Sequence, residues 1–99
     1  MPDSIRASHI LRNVDGRSKE DALKEVEDIK AAIDDGADFA DQAREHSECP
    51  SGRSGGDLGD FGRGMMVAPF EEVAFDLDVD ELSGPVETDF GYHLILRTA

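Results

Sequence analysis

The chain has 99 residues, of which 23 are Asp or Glu and 10 are Lys or Arg, so its formal net charge at pH 7 is −13. This length predicts a single domain over residues 1–99. The negative charge repels nucleic acid phosphates and anionic membrane surfaces, which excludes both as partners.

Two further features bear on the compartment of the protein. The sequence has no run of 18 apolar residues, and its first residues, MPDSIRASHI, lack the basic and apolar regions of a secretion signal. A cytoplasmic monomer is therefore expected. Asp exceeds Glu (14 to 9) and Arg exceeds Lys (7 to 3), a bias that fits a salt-rich, halophilic cytoplasm. An acidic surface that only maintains solubility is an equal alternative.

The first predicted element is a strand over Ile5 to Arg12, where apolar residues alternate. This pattern places His9 on the same face as Leu11. A lone histidine in a strand is more often a hydrogen-bonded structural residue than a catalytic one. The strand pattern by itself therefore favours a structural role for His9.

Two helices are predicted next. Ser18 is followed three positions later by an acidic residue, which is typical of a helix N-terminus, and Gly36 suits the end of that helix. Residues at helical spacing form its core stripe: Ala22, Val26, Ile29 and Ile33. Asp38 is predicted to cap a shorter helix that ends near His46.

The second half of the chain alternates turns with short elements. We predict a strand over Asp57 to Phe61 and a helix over Pro69 to Phe75, since Pro is tolerated in the first turn of a helix. Two short strands, Val86 to Thr88 and Tyr92 to Arg97, flank a tight turn at Asp89-Phe90-Gly91. In the last strand, His93 is expected to share a face with Ile95 and Arg97.

The stretch from His46 to Phe70 holds the single cysteine and six of the ten glycines, among apolar residues and turns. Its motif residues are His46-Ser47-x-Cys49-x-Ser51-Gly52, Gly55-Gly56-Asp57-Leu58-Gly59-x-Phe61, Met66 and Pro69-Phe70. Two further motifs stand near the ends of the chain, Ser8-His9-Ile10-Leu11 and Ser83-Gly84-Pro85-Val86-x-Thr88-x-x-Gly91-Tyr92-His93-x-Ile95. In this order and spacing, these motifs resemble the parvulin family of peptidyl-prolyl cis/trans isomerases.

This resemblance implies an α+β fold in which about three to four helices surround a four-stranded antiparallel sheet. It also implies isomerisation of X–Pro bonds in folding polypeptides, with proline-containing segments as partners and no metal or other cofactor. A pocket for the proline ring is implied at Leu58, Met66 and Phe70, with Phe90 at its edge. From their spacing alone, Met66 and Phe70 fit a hydrophobic core as well.

The same resemblance implies the catalytic residues. It puts His9 and His93 side by side beneath the pocket, and Thr88 close enough to hydrogen-bond one of the rings. Cys49 is implied to lie beside the substrate carbonyl. His46 belongs to the motif but is not expected to be catalytic.

Three alternatives remain open on the residues alone. His46-x-x-Cys49 has ligand-like spacing and, with His9 and His93, would supply a zinc site. Cys49 paired with a histidine would be a thiol nucleophile for acyl transfer. Finally, the domain would be a chaperone-like module that binds proline-containing segments without turnover.

Selectivity for phosphorylated substrates is not expected. A dianionic phosphate needs Lys or Arg partners, which phosphate-selective parvulins carry in the loop after the first strand. Here Asn13 stands four positions after His9. Arg17 and Lys19 are nearby, but so are the acidic residues Asp15, Glu20 and Asp21.

Overall fold

A computed structural model describes residues 4–99. Its elements are β1 (Ser4–Asn13), α1 (Lys19–Asp34), α2 (Phe39–His46), a 3-10 helix (Pro50–Ser54), β2 (Asp57–Gly62), α3 (Ala68–Asp76), β3 (Val86–Thr88) and β4 (Gly91–Arg97). Apart from the 3-10 helix, they follow the predicted order. The predicted α+β class and the four-stranded antiparallel sheet are confirmed.

The strands lie in the order β2-β1-β4-β3, and each neighbouring pair is antiparallel. The central pair, β1 and β4, runs in register from Ala7 opposite Arg97 to Asn13 opposite Gly91. In this register His9 lies opposite Ile95, and His93 lies opposite Leu11. His9 and His93 are therefore diagonal neighbours on one face of the sheet, close enough for their side chains to meet.

The alternation of side chains divides the core between the two faces of the sheet. On one face, α1 and α2 cover a cluster that includes Ile10, Val26 and Leu94. On the other face, α3 packs its apolar residues against a cluster that includes Ala7 and Ile95. The predicted division of β4 is confirmed, because His93 and Ile95 lie on the α3 face and Leu94 on the opposite one.

The helix caps also agree with the sequence. The Ser18 side chain accepts a hydrogen bond from Asp21 N at 3.1 Å, and the Asp38 side chain accepts one from Asp41 N at 3.1 Å. Gly36 follows the C-cap residue of α1. The 3-10 helix was not predicted. Pro50 occupies its first turn, where the missing N–H costs nothing.

A bulge interrupts the pairing of β1 with β2. Ser8 pairs with Asp57 and Arg6 with Asp60, so that two residues of β2, Leu58 and Gly59, lie opposite Ala7 alone. Gly59 has a φ of +71°, the left-handed conformation that such a bulge favours at a glycine. Among residues 4–99, no helix is both long and apolar enough to cross a membrane.

Candidate active site

A cavity of about 350 Å³ opens on the α3 face of the sheet. Its lining includes all seven residues predicted for catalysis or substrate binding: His9, Cys49, Leu58, Met66, Phe70, Phe90 and His93. Apolar side chains dominate the remainder of its wall. The residues come from separate segments of the chain, so their meeting is a property of the tertiary structure.

Different elements place the lining residues. The central strands supply the two histidines at the base, and the first turn of α3 supplies Phe70, which is 3% exposed. The ring of Phe70 contacts His9 and His93 edge-on, with centroids 5.5 Å from each. Phe90, in the turn between β3 and β4, is 59% exposed and forms the rim. The cavity is therefore closed at its base and open at its rim.

The two histidines form a hydrogen-bonded, stacked pair. Their Nδ1 atoms are 3.0 Å apart, and the rings lie 5.2 Å apart with an interplanar angle of 18°. His93 Nε2 lies 2.8 Å from Thr88 Oγ1, which places Thr88 where the resemblance implied. At the other end, His9 Nε2 lies 3.2 Å from Ser51 Oγ. All four ring nitrogens thus have a partner.

Burial keeps both rings neutral at pH 7. It lowers the pKa of His9 to about 4, since the charged ring loses its hydration. Burial, and next the proximity of His9, lower the pKa of His93 to about 4. Each ring then carries a single proton, so a hydrogen bond between the two Nδ1 atoms requires one to donate and the other to accept.

The protons of the two rings are coupled along one chain of hydrogen bonds. Phe90 N donates to Thr88 Oγ1 at 3.2 Å, and the Thr88 hydroxyl keeps its proton and a second lone pair for His93 Nε2. If the hydroxyl donates, the His93 proton lies on Nδ1 and is donated to His9 Nδ1, and the His9 proton lies on Nε2 and is donated to Ser51 Oγ. If the hydroxyl accepts from His93 Nε2, all three directions are reversed. The rim turn and the 3-10 helix are thereby connected through the base of the cavity.

Cys49 is half-buried at the start of the 3-10 helix, and it also lines a second hollow that faces Arg44 and Arg53. Its carbonyl accepts a hydrogen bond from Gly52 N at 2.9 Å. The histidine nitrogens are already engaged with Ser51, Thr88 and each other. This arrangement leaves no nitrogen of the His9–His93 pair free to act as a base for the thiol, as the acyl-transfer alternative requires.

The zinc alternative also lacks its ligand set. His46 lines a different hollow, between α1 and α2, and its carbonyl oxygen accepts a hydrogen bond from Arg12 at 2.7 Å. Within residues 4–99, no group of three or more His, Cys, Asp or Glu side chains is placed to hold a metal ion. The ligand-like spacing of His46 and Cys49 therefore has no spatial counterpart.

Four residues of the site were missed from the sequence. Ser51 hydrogen-bonds His9, and three further apolar residues line the cavity, namely Leu11, Met65 and Val67. The signal for Leu11 was available, since it is two residues from His9 on the same strand face. Met65 and Val67 lie in an irregular segment between β2 and α3. Apolar residues there follow no helical or strand spacing, so the sequence cannot show which side chains point inward.

Comparison with known proteins identifies the class to which this fold and site belong. The model of the rotamase family, described as the PPIC-type PPIase domain, matches residues 9–99. The chain therefore belongs to the PPIC-type peptidyl-prolyl cis/trans isomerases, the parvulins, as the motif residues implied.

Individual relatives agree. Peptidyl-prolyl cis-trans isomerase pin1 of Rhizopus delemar is 50% identical over 99 residues, covering 99% of this chain and 63% of the relative. Foldase protein PrsA of Geobacillus kaustophilus is 50% identical over 95 residues, which cover 95% of this chain and 31% of the relative. The solution structure of NmPin, the parvulin of Nitrosopumilus maritimus, is 37% identical with a TM-score of 0.82, and covers 100% of this chain and 99% of that one. The chain thus spans less than two thirds of the first two relatives, but nearly all of the third.

Proposed function

We propose that this chain catalyses the cis/trans interconversion of X–Pro bonds in polypeptides and thereby assists their folding, without a cofactor. The observation that carries the proposal is the apolar cavity built directly over a buried, neutral histidine pair. The cytoplasmic location and the monomeric state remain predictions.

The chemistry needed is modest. Rotation about a peptide bond has a barrier of about 18 to 20 kcal/mol because amide resonance is lost at the twisted geometry. Catalysis requires only that the site bind the twisted amide better than the planar one. No bond is made or broken, and no proton has to be transferred to the substrate.

We assign the proline ring to the apolar wall formed by Leu58, Met66 and Phe70, with Phe90 covering it from the rim. The carbonyl that rotates would then lie near Cys49, whose polar thiol accommodates the changing charge. His9 and His93 hold the base of the site in one arrangement, because each ring is fixed by hydrogen bonds at both nitrogens. The direction of the Thr88 hydrogen bond determines the tautomer of His93.

Turnover is tested by exchange NMR spectroscopy on a short X–Pro peptide, with and without catalytic amounts of protein. We expect faster interconversion with protein present. Line broadening without faster exchange would instead favour the binding module that does not turn substrate over. Phe90→Ala should lower kcat/KM severalfold, whereas Val79→Ala is a matched control, since Val79 is 53% exposed but lies outside the cavity.

We further propose that the enzyme does not select phosphorylated substrates. The basic side chains at the end of β1 and in the segment that follows it already have acidic partners. Arg12 Nη2 lies 3.2 Å from Glu25 Oε1, and Arg17 is paired with Glu25 and Glu48. Lys19 Nζ lies 3.0 Å from Glu87 Oε2. A phosphate would have to displace these carboxylates in a protein whose charge already repels it.

Matched peptides with phosphoserine, glutamate or alanine before proline test this prediction. We expect kcat/KM for the phosphopeptide to be no higher than for the glutamate peptide. A large preference for phosphoserine would contradict the proposal, and would show that Arg17, Lys19 or Arg63 exchanges its carboxylate partner for the substrate phosphate.

A further inference from the structure

A second cavity, of about 400 Å³, lies next to the proline pocket. Val67 lines both cavities, and Phe90, on the rim of the first, directly follows Asp89, on the wall of the second. A polypeptide whose proline occupies the first cavity can therefore place a neighbouring residue in the second one. We call the second cavity the flanking cavity.

The lining of the flanking cavity has an apolar part and a charged part. Val14, Val67 and Pro69 form the apolar part, and Lys19, Glu87 and Asp89 form the charged part. The three charges sum to −1. Lys19 Nζ is paired with Glu87 and lies within the electrostatic reach of Asp89, which raises the pKa of Lys19 after the larger effect of Glu87. Within residues 4–99, no ion pair of 4 Å or less is formed by Asp89. An elongated side chain with an apolar stem and a cationic end matches this division, as the stems of Lys and Arg pack along apolar surfaces.

The charge of the whole molecule acts in the same direction. With a formal net charge of −13, the protein attracts cationic segments and repels anionic ones. The positive charge of Lys19 would repel a cationic substrate, but Lys19 is paired with Glu87. Both side chains are exposed and such pairs are weak in water, so Glu87 can also turn to the substrate.

We propose that the flanking cavity binds a Lys or Arg side chain next to the proline of the substrate, and that Asp89 is its specificity-determining residue. The inference rests on the proposed isomerase function, since it takes the proline to occupy the first cavity. It names basic segments of polypeptides as the preferred substrates.

The experiment compares peptides that differ only in charge. Arginine and its neutral isostere citrulline are placed directly before the proline in one peptide pair and directly after it in a second, and a glutamate peptide is included at each position. For at least one position, kcat/KM at low salt should be about two- to fivefold higher for arginine than for citrulline, as expected for one exposed charge interaction. Equal values at both positions, or a preference for glutamate, would overturn the proposal.

Variants separate the flanking cavity from the general field of the protein. In Asp89→Asn the arginine-to-citrulline ratio should fall towards one, and Glu87→Gln serves as a second variant if the first does not fold. Glu27→Gln removes the same charge from an exposed site on α1 outside this cavity, and should preserve the ratio. If the arginine-to-citrulline ratio falls equally in Glu27→Gln, the preference comes from the overall charge of the protein, and the assignment to Asp89 is overturned.

The citrulline peptides keep the two proposals distinguishable, because their turnover reports isomerase activity without the charge. If no peptide is turned over, the isomerase proposal fails. In that case, NMR titration measures how tightly the same peptides bind to the wild type and to Asp89→Asn. This measurement tests the flanking cavity independently of turnover. Tighter binding of the arginine peptide that is lost in the variant supports the site, and equal binding overturns it.

Discussion

Cys49 is the residue whose chemistry most clearly separates the possible mechanisms. If its thiol acts through polarity alone, Cys49→Ala should lower kcat/KM by about one to two orders of magnitude but leave measurable activity. The apolar wall and the histidine pair still bind the twisted amide in this variant. Cys49→Asp should retain more activity, since a carboxylate supplies negative charge near the carbonyl carbon. Both are measured by exchange spectroscopy after folding is verified.

A nucleophilic mechanism predicts a different result. Loss of a covalent catalyst costs several orders of magnitude, and an adduct on the sulfur would appear during turnover. Mass spectrometry of the wild-type protein during turnover therefore complements the variants. A trapped adduct on Cys49, or complete inactivity of a well-folded Cys49→Ala, would contradict the non-covalent account.

The buried histidine pair predicts a dependence of stability on pH. His9 and His93 have pKa values near 4 in the folded protein, compared with 6.5 for an ordinary histidine. As the pH falls from about 6.5 to about 4, the unfolded chain takes up protons that the folded chain does not. The free energy of unfolding should therefore fall over this range, by up to about 1.4 kcal/mol per pH unit for each ring.

Denaturant unfolding at several pH values measures this effect, and NMR of the imidazole nitrogens identifies its source. Both rings should remain neutral at pH 5.5 in the folded protein. A His93→Asn variant should lose part of the slope between pH 6.5 and 5. Titration of both rings near pH 6.5 in the wild type would show that burial does not suppress their charge.

At the scale of elements, the approach of Gly56 to β1 holds the segment bearing Cys49 against the strand bearing His9. Gly56 O accepts a hydrogen bond from His9 N at 2.9 Å, and a Cβ on Gly56 would lie 2.3 Å from His9 O. The φ of Gly56 is +85°, which residues with a side chain rarely adopt. Both the steric contact and the backbone conformation therefore require glycine at this position.

Gly56→Ala should accordingly destabilise the protein more than the backbone conformation alone explains. Gly16→Ala is the matched control, because Gly16 has a φ of +87° but a Cβ added there would have no neighbouring atom within 4 Å. The control should cost about 1 to 2 kcal/mol for the left-handed conformation, and Gly56→Ala clearly more. Thermal or denaturant unfolding measures both variants. Equal losses would mean that the segment moves away from β1 without cost.

The elements themselves were predictable because their signals are local. Ser18 and Asp38 cap their helices by bonding backbone groups three residues away, and each strand shows its own alternation. The 3-10 helix at Pro50–Ser54 was missed because five residues make fewer than two turns and show no repeating apolar pattern. The bulge at Leu58 and Gly59 was missed because it depends on how β2 pairs with β1, and the sequence of β2 alone does not determine that pairing.

At the scale of the whole molecule, the excess of acidic side chains predicts stabilisation by salt. Thirteen excess negative charges on a domain with a radius of gyration of 12.4 Å repel one another in the folded state. Screening grows as the Debye length falls from about 30 Å at 0.01 M to about 3 Å at 1 M salt. The melting temperature should therefore rise over this range.

Calorimetry or circular dichroism at stepped concentrations of sodium chloride provides the measurement. Most of the rise is expected below the concentration at which the Debye length becomes shorter than the spacing of neighbouring charges. A melting temperature that is constant or falls between low and molar salt would contradict the prediction. It would indicate that the ion pairs at Arg12 and Arg17 contribute more than the general repulsion does.

The sequence by itself determined the class of fold and the family, since the order of the motifs, the helix caps and the alternation of side chains all lie along the chain. It also predicted the seven residues that the structure brings to one cavity. Only the tertiary structure decided how these residues act together. The antiparallel register of β1 with β4 brings His9 within hydrogen-bonding distance of His93, although 84 residues separate them. The same packing recruits Ser51 to the pair and places Asp89 beside the pocket. Such contacts depend on distances between elements, and no local pattern of residues encodes those distances.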